Sequence, residues 1–295
     1  MAEFEIKDGV AIIPEGTETI EDRAFSGCKE LTSIEIPSTV TTIGSRAFEN
    51  CTGLTSIEIP DSVTRLVTYT FENCTGLTSV KLSNSIKSLW GNFSGCTELT
   101  SVKLPESLTS ICEFAFRCCA KLTSIEIPSS VTSIDKGAFY GCKGLTNLVI
   151  PSSVTQLGYC AFWGCTGLTS VEIPPMPVIG ESAFAKCSGL TSIVIPEGVT
   201  EIKDFAFSDC SGLTSLVIPE GVTVIGRSAF ENCTGLTSLT LPAGIKKIGD
   251  ASFDGCENLK TISVPAKKAT YYKNRLPEYL HQYIVEREPE KKAKK

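Results

Sequence analysis

Fourteen cysteines and one histidine are the residues of this chain whose types could do chemistry. Eleven of the cysteines recur at a fixed interval: Cys28, Cys51, Cys74, Cys96, Cys119, Cys142, Cys165, Cys187, Cys210, Cys233 and Cys256, each 22 or 23 residues from the next. Zinc sites draw on ligand pairs only a few residues apart, so the interval is not a zinc signature. If these cysteines stack in successive turns of a regular structure, their sulfurs lie about 5 Å apart with parallel side chains, which a disulfide does not accept without backbone strain. They read as small buried hydrophobes. Cys112, Cys118 and Cys160 fall off the interval and read as exposed thiols open to oxidation or crosslinking. His281 has no second histidine to work with, so a Ser-His-Asp or Cys-His mechanism would rest on one residue near the chain's end. The acidic residues are scattered, and the glycines mark turns with no phosphate-binding pattern among them. No catalytic residue, metal ligand or cofactor is expected, and the chain reads as a non-enzyme.

The elements that position these residues follow from the same interval. The clearest unit runs from Leu122 to Gly144, LTSIEIPSSVTSIDKGAFYGCKG, and its leading leucine recurs from Leu31 to Leu259 at steps of 23 residues. Two steps are shorter, Leu77 to Leu99 and Leu168 to Leu190, at 22. A period of this length is the mark of a solenoid. Within each unit, Leu-Thr-Ser-Ile-Glu-Ile-Pro alternates apolar and polar positions, which predicts a short strand ended by proline. Val40 to Ile43 predicts a second extended piece, and Ala47-Phe48 to Cys51 a tight helical turn leading back. About eleven coils stacked at about 4.8 Å per step form one elongated body whose core closes only between neighbours. Asn50, Asn73, Asn92 and Asn232 match the glycosylation pattern only because the repeat places Ser or Thr beyond a buried Cys or Phe.

Composition narrows the function. The hydrophobic fraction is 42%, enough for a core, yet no run reaches the roughly 18 apolar residues of a membrane span. The polar start, Met1 to Val10, has no secretory signal pattern. Residues 266–295 carry a net +5, while the whole chain carries −6, so residues 1–265 carry −11. An acidic body argues against a nucleic-acid groove, which needs clustered Lys and Arg. The basic run Lys291 to Lys295 reads as a solvated tail. Leu276, Tyr279, Leu280, Tyr283 and Ile284 form a narrow apolar stripe that predicts a capping helix over Asn274 to Glu288. The chain thus divides into an N-terminal capping coil (1–30), repeats (31–265), and a capping helix with basic tail (266–295).

The repeated pattern L-x-x-I-x-I-P-x-x-V-x-x-I-G-x-x-A-F-x-x-C resembles the BspA-type (Treponema pallidum-type) leucine-rich repeat over about residues 11–265. The resemblance implies an α/β solenoid, a right-handed leucine-rich-repeat superhelix with a parallel β-sheet. It also implies a secreted or cell-surface protein of bacterial or protozoan kind that adheres to other proteins or cells. It transfers no binding residue, because the motif is structural.

Binding must therefore be sought where the repeat departs from itself. One exposed column runs Glu35, Glu58, Lys81, Lys103, Glu126, Val149, Glu172, Val194, Val217, Thr240 and Ser263, from charged to apolar. The other departure lies in the turns around each Phe-x-x-Cys: Val67, Tyr69, Trp90, Phe114 and Tyr159 precede the Phe, and Tyr140 and Trp163 follow it directly, gathering aromatics in a few neighbouring coils. Clustered surface aromatics are enriched at binding hot spots. Three readings stand for them: packing of ring on ring, a site for a protein partner, and self-association into a homo-oligomer. The leading expectation is a non-catalytic protein-binding scaffold, with a structural self-associating solenoid as the alternative. Replacing Trp90 and Trp163 by alanine is expected to weaken binding and leave thermal stability nearly unchanged.

Overall fold

The computed structural model describes residues 5–288; the first four residues of the N-terminal capping coil and the basic run Lys291 to Lys295 lie outside them. The coils stack through parallel ladders divided into short sheets of two to four strands; the coils beginning at Leu122 and Leu190 add no strand to the first ladder, although their sequence predicts one. In the first ladder the period-two pattern buries the middle residue of each strand and exposes its neighbours, as in Ser33–Glu35, Ser56–Glu58 and Ser79–Lys81. Pairing is parallel and in register, Ile57 beside Val80 and Val80 beside Val102, so like side chains fall on like. The threonine after each leading leucine reinforces the ladder: Thr78 donates its hydroxyl to the Thr55 carbonyl at 2.9 Å. A second ladder of two-residue strands runs from Thr19–Ile20 to Lys247–Ile248, with Ile20 beside Ile43 and Ile43 beside Leu66.

The Ala-Phe-x-x-Cys segment is not the helical turn its sequence predicts. The residues two before and two after each ladder Phe are left-handed, as at Arg46 (φ 56°) and Asn50 (φ 58°) around Phe48. Alternating right- and left-handed backbone turns successive amide N–H groups to one side. Arg46, Phe48 and Asn50 accordingly donate to the carbonyls of Thr68, Thr70 and Glu72 in the next coil at 3.1, 2.8 and 2.8 Å. The turn is a third inter-coil ladder. Its left-handed positions explain the Asn and Gly that follow the phenylalanines, since few other residues tolerate φ > 0 at low cost.

One continuous core results. Eleven phenylalanines from Phe25 to Phe253 stack face to face, offset, with centroids 5.2 to 5.6 Å apart. Beside them, each ladder thiol after the first donates to the preceding coil's Phe carbonyl, as Cys51 to Phe25 at 3.0 Å and Cys119 to Phe93 at 3.2 Å. The same Phe25 carbonyl accepts the Cys28 N–H at 3.1 Å. Both lone pairs of a buried oxygen are thus satisfied, and cysteine is the small side chain that is apolar yet carries a donor.

The ends differ from the coils between them. The hairpin of Ile6–Lys7 and Val10–Ile12 pairs with Ser33–Glu35 at the N-terminal edge. At the other end the sequence predicts one helix over Asn274 to Glu288, and the structure divides that region. A five-residue α-helix, Ala269–Lys273, precedes it; a 3-10 turn, Glu278–Tyr283, follows Pro277; and Ile284–Arg287 is a strand. Pro277 is extended (ψ 141°), which breaks any helix there, and β-branched Ile284 and Val285 suit the open edge of Thr261–Pro265, with which they pair in parallel.

Candidate functional site

The predicted aromatics lie on the turn face, in three columns set by the left-handed ladder. Tyr69 (φ 59°) and Phe114 (φ 57°) occupy the left-handed position before the ladder Phe, two coils apart. Between and beyond them the same position is Gly91 and Gly137. An added Cβ at Gly91 would stand 2.3 Å from the Tyr69 ring, and one at Gly137 2.5 Å from the Phe114 ring. Each ring therefore lies over the glycine of the following coil, and both side chains are half-buried. Val67 is a wall residue of the same turn, its carbonyl accepting the Thr70 hydroxyl at 2.7 Å and the Asn92 amide at 2.6 Å.

One position earlier in the turn, Trp90 and Tyr159 stand out at 45% and 49% exposure. Three coil steps put them about 14 Å apart. Glu113 and Lys136 fill the two coils between and pair at 2.9 Å. Tyr140 and Trp163 form the third column and stack on each other, centroids 4.4 Å apart and planes 6° from parallel. Cations interleave with these rings: Arg117 lies 5.7 Å from Phe114 and 5.9 Å from Tyr140, Lys136 5.3 Å from Phe114, and Lys186 4.8 Å from Trp163. Among the described residues Arg117 and Lys186 have no carboxylate partner within ion-pair distance. Aromatics and cations thus share one continuous strip over neighbouring coils.

Two residues that sequence reasoning passed over hold this strip in place. Thr70 and Asn92 occupy the column that is alanine in most coils, and both are fully buried. The coil from Leu77 is one residue short, and the missing residue falls between Leu89 and Phe93. Asn92 fills the gap: its Oδ1 accepts the Trp90 N–H at 2.5 Å while its Nδ2 donates to the Val67 carbonyl. The signal was a polar residue where the repeat calls for alanine.

The thiols differ from expectation off the ladder. Cys112 and Cys160 are buried, not exposed, and Cys118 is only half-buried. Burial pushes the Cys112 thiol up to about 12, with the Asp135 charge adding to it, and raises Cys160 in the same direction. On the ladder, burial lifts Cys119 and Cys165 well above the ordinary thiol range. These are poor nucleophiles. His281 lies within the C-terminal turn, a ring nitrogen 3.0 Å from the Leu276 carbonyl. Among the described residues no three His, Cys, Asp or Glu side chains converge as metal ligands. No described helix is long and apolar enough to cross a membrane.

In-register parallel strands on a 22- to 23-residue period, closed by Leu, Ile, Phe and Cys ladders, define a leucine-rich-repeat solenoid. The chain belongs to the family described as BspA type Leucine rich repeat region, which matches residues 10–92, 90–190 and 177–276. Among curated proteins none matches. A leucine-rich repeat protein from Bacteroides ovatus is 32% identical, with a TM-score of 0.77 over 94% of this chain and 77% of its own. The Leucine Rich Repeat protein of T. pallidum is 26% identical, with a TM-score of 0.51 over 72% of this chain and 88% of its own. The pneumococcal vaccine antigen PcpA, at 21% identity and a TM-score of 0.61 over 94% of this chain and 77% of its own, shares the fold.

Proposed function

We propose that this chain is a non-catalytic protein-binding scaffold whose contact surface is the turn-face strip of Trp90, Phe114, Arg117, Tyr140, Tyr159, Trp163 and Lys186. The observation that carries the reading is the alternation of half-exposed rings with unpaired cations on an otherwise acidic body. Trp, Tyr and Arg are the residues that dominate binding hot spots. The coils are ordered before any encounter, so a partner meets rings already held by stacking and by Asn92, at little further entropic cost. The partner surface that fits offers carboxylates to Arg117 and Lys186 and apolar groups to Trp90 and Tyr159. Adhesion at a cell surface accords with the family resemblance and forms part of this proposal.

The test compares proteins captured from host and neighbouring-cell extracts by the intact chain and by a Trp90→Ala/Tyr159→Ala variant. Loss of the same captured proteins, with an unchanged melting curve, supports the site. Equal capture by both forms overturns it. Light scattering over a range of concentrations separates this reading from self-association, which would give a mass rising with concentration.

A further inference from the structure

We propose that the C-terminal end of the solenoid is a seat for an extended peptide segment, which adds there as one further coil. This rests on the end of the ladders and not on the aromatic strip.

The C-terminal cap covers only part of the last coil. Ile284–Arg287 completes the first strand ladder. Hydroxyls of Tyr271 and Tyr279 donate to the carbonyls of Ile245 and Phe253 at 2.5 and 3.1 Å, and Tyr272 caps the Pro242 carbonyl. The second ladder and the start of the turn remain open. Ile248 is half-exposed, whereas its ladder counterparts from Ile20 to Ile225 are buried. A cavity of about 370 Å³ lies over it, lined by Asp250, Ala251, Phe253, Arg275 and Leu276 among others.

The earlier coils state what this edge is made to meet. Gly249 donates its N–H to the Ile225 carbonyl at 2.8 Å, and Ser228 and Phe230 donate theirs to the carbonyls of Asp250 and Ser252 at 2.9 Å each. The Asp204 carboxylate accepts the Arg227 N–H at 2.7 Å. One coil further on, the Ile248 carbonyl and the N–H groups of Ala251 and Phe253 have no partner among the described residues. An incoming segment would donate an N–H to Ile248, accept from Ala251 and Phe253, and donate an N–H to the Asp250 carboxylate. Only a polypeptide backbone offers donors and acceptors in that order. Charge adds a preference: the edge column reads Asp204, Arg227, Asp250, so a basic residue of the peptide falls beside Asp250. An aliphatic residue two positions before it covers Ile248. A second copy of this chain is the competing occupant, and the oligomeric state separates it from a peptide.

The probe is a fluorescent synthetic peptide with the sequence of residues 223–230, Thr-Val-Ile-Gly-Arg-Ser-Ala-Phe, which has the aliphatic and basic residues at these positions. Titrated with the full chain and followed by anisotropy, it is expected to bind saturably to one site. Ile248→Lys and, separately, Asp250→Ala should each weaken it about tenfold, as loss of an apolar seat or of a charged acceptor does. Both positions are at least partly exposed, and circular dichroism checks that the variants fold. Absence of saturable binding, equal binding of a scrambled peptide, or indifference to both substitutions would overturn the proposal. So would a concentration-dependent dimer of the intact chain that the same substitutions abolish, since the occupant would then be a second copy.

Discussion

Tyr279 donates its hydroxyl to the Phe253 carbonyl at 3.1 Å, across a separation of 26 residues. That is the separation at which Cys119 reaches Phe93 and Cys256 reaches Phe230. The tyrosine stands where the repeat would next place a cysteine, and it does the cysteine's work on a coil that has no successor. Tyr279→Phe keeps the ring and removes the donor, leaving a buried carbonyl one bond short. The expected result is a loss of about 1 kcal/mol in chemical denaturation. Amide exchange should quicken selectively over the last coil, because neighbouring coils carry stability one to the next.

The same ladder makes the protein sensitive to alkali. An unfolded thiol ionises near 9.0, while burial in the folded chain pushes Cys51 up to about 12 and Cys119 well above the ordinary range. Between those values the unfolded chain releases protons that the folded chain retains. Stability is therefore full below pH 9 and falls as pH rises toward 12, each buried thiol adding about 1.4 kcal/mol per pH unit to the slope. Urea unfolding at a series of pH values checks this; a flat profile above pH 9 would contradict it. Thiol-specific labelling at neutral pH should modify Cys28 and Cys118, the two cysteines with partial exposure, and spare the other twelve until denaturant is added.

Much of this architecture was legible because the repeat displays its core positions many times over. Leu, Ile, Phe and Cys at constant offsets can only be ladders, and their in-register stacking follows. The turn's alternating handedness was not legible. Arg46, Tyr69, Phe114 and Phe205 share a left-handed position with Gly91 and Gly137, so no one residue type marks it. The C-terminal stripe misled for a related reason: Leu276, Tyr279, Leu280 and Tyr283 keep helical spacing, but Pro277 and the free edge of Thr261–Pro265 override it. The aromatic strip was legible as a departure from the repeat and not as a geometry. The shortened interval from Leu77 to Leu99 was visible, but not that the lost residue lies beside Trp90. The other short interval gives no comparable feature, because there the loss falls in the Pro174-Pro175 loop.

Gly91 joins two constraints that can be separated. Its φ of 62° disfavours any side chain, and the Tyr69 ring occupies the space a Cβ would need. Gly164 has a similar φ of 71° with its nearest neighbour 3.9 Å away. Gly164→Ala is expected to cost about 1 kcal/mol from backbone strain alone. Gly91→Ala should cost more, and adding Tyr69→Ala should recover the excess. A double-mutant cycle by thermal unfolding measures that coupling. Equal costs at the two glycines would show that the ring moves aside freely.

The strip itself predicts that its two tryptophans behave differently, against the expectation that both are dispensable for stability. Trp163 is stacked on Tyr140 and covered by Lys186, so Trp163→Ala should destabilise by about 1 kcal/mol or more. Trp90 is nearly half-exposed and has no stacked ring among the described residues, so Trp90→Ala should leave the melting curve almost unmoved. Its backbone is another matter. Asn92→Ala would strip the Trp90 N–H of its acceptor and the Val67 carbonyl of a donor inside the wall of the short coil. Buried groups left unpaired cost about 1–3 kcal/mol. Thermal unfolding checks the stability loss, and Trp90 fluorescence checks its cause: in a Trp163→Phe background, Asn92→Ala should shift emission and lower anisotropy at the one tryptophan that remains. An unchanged spectrum with full stability would mean that Asn92 fills space and does not position Trp90.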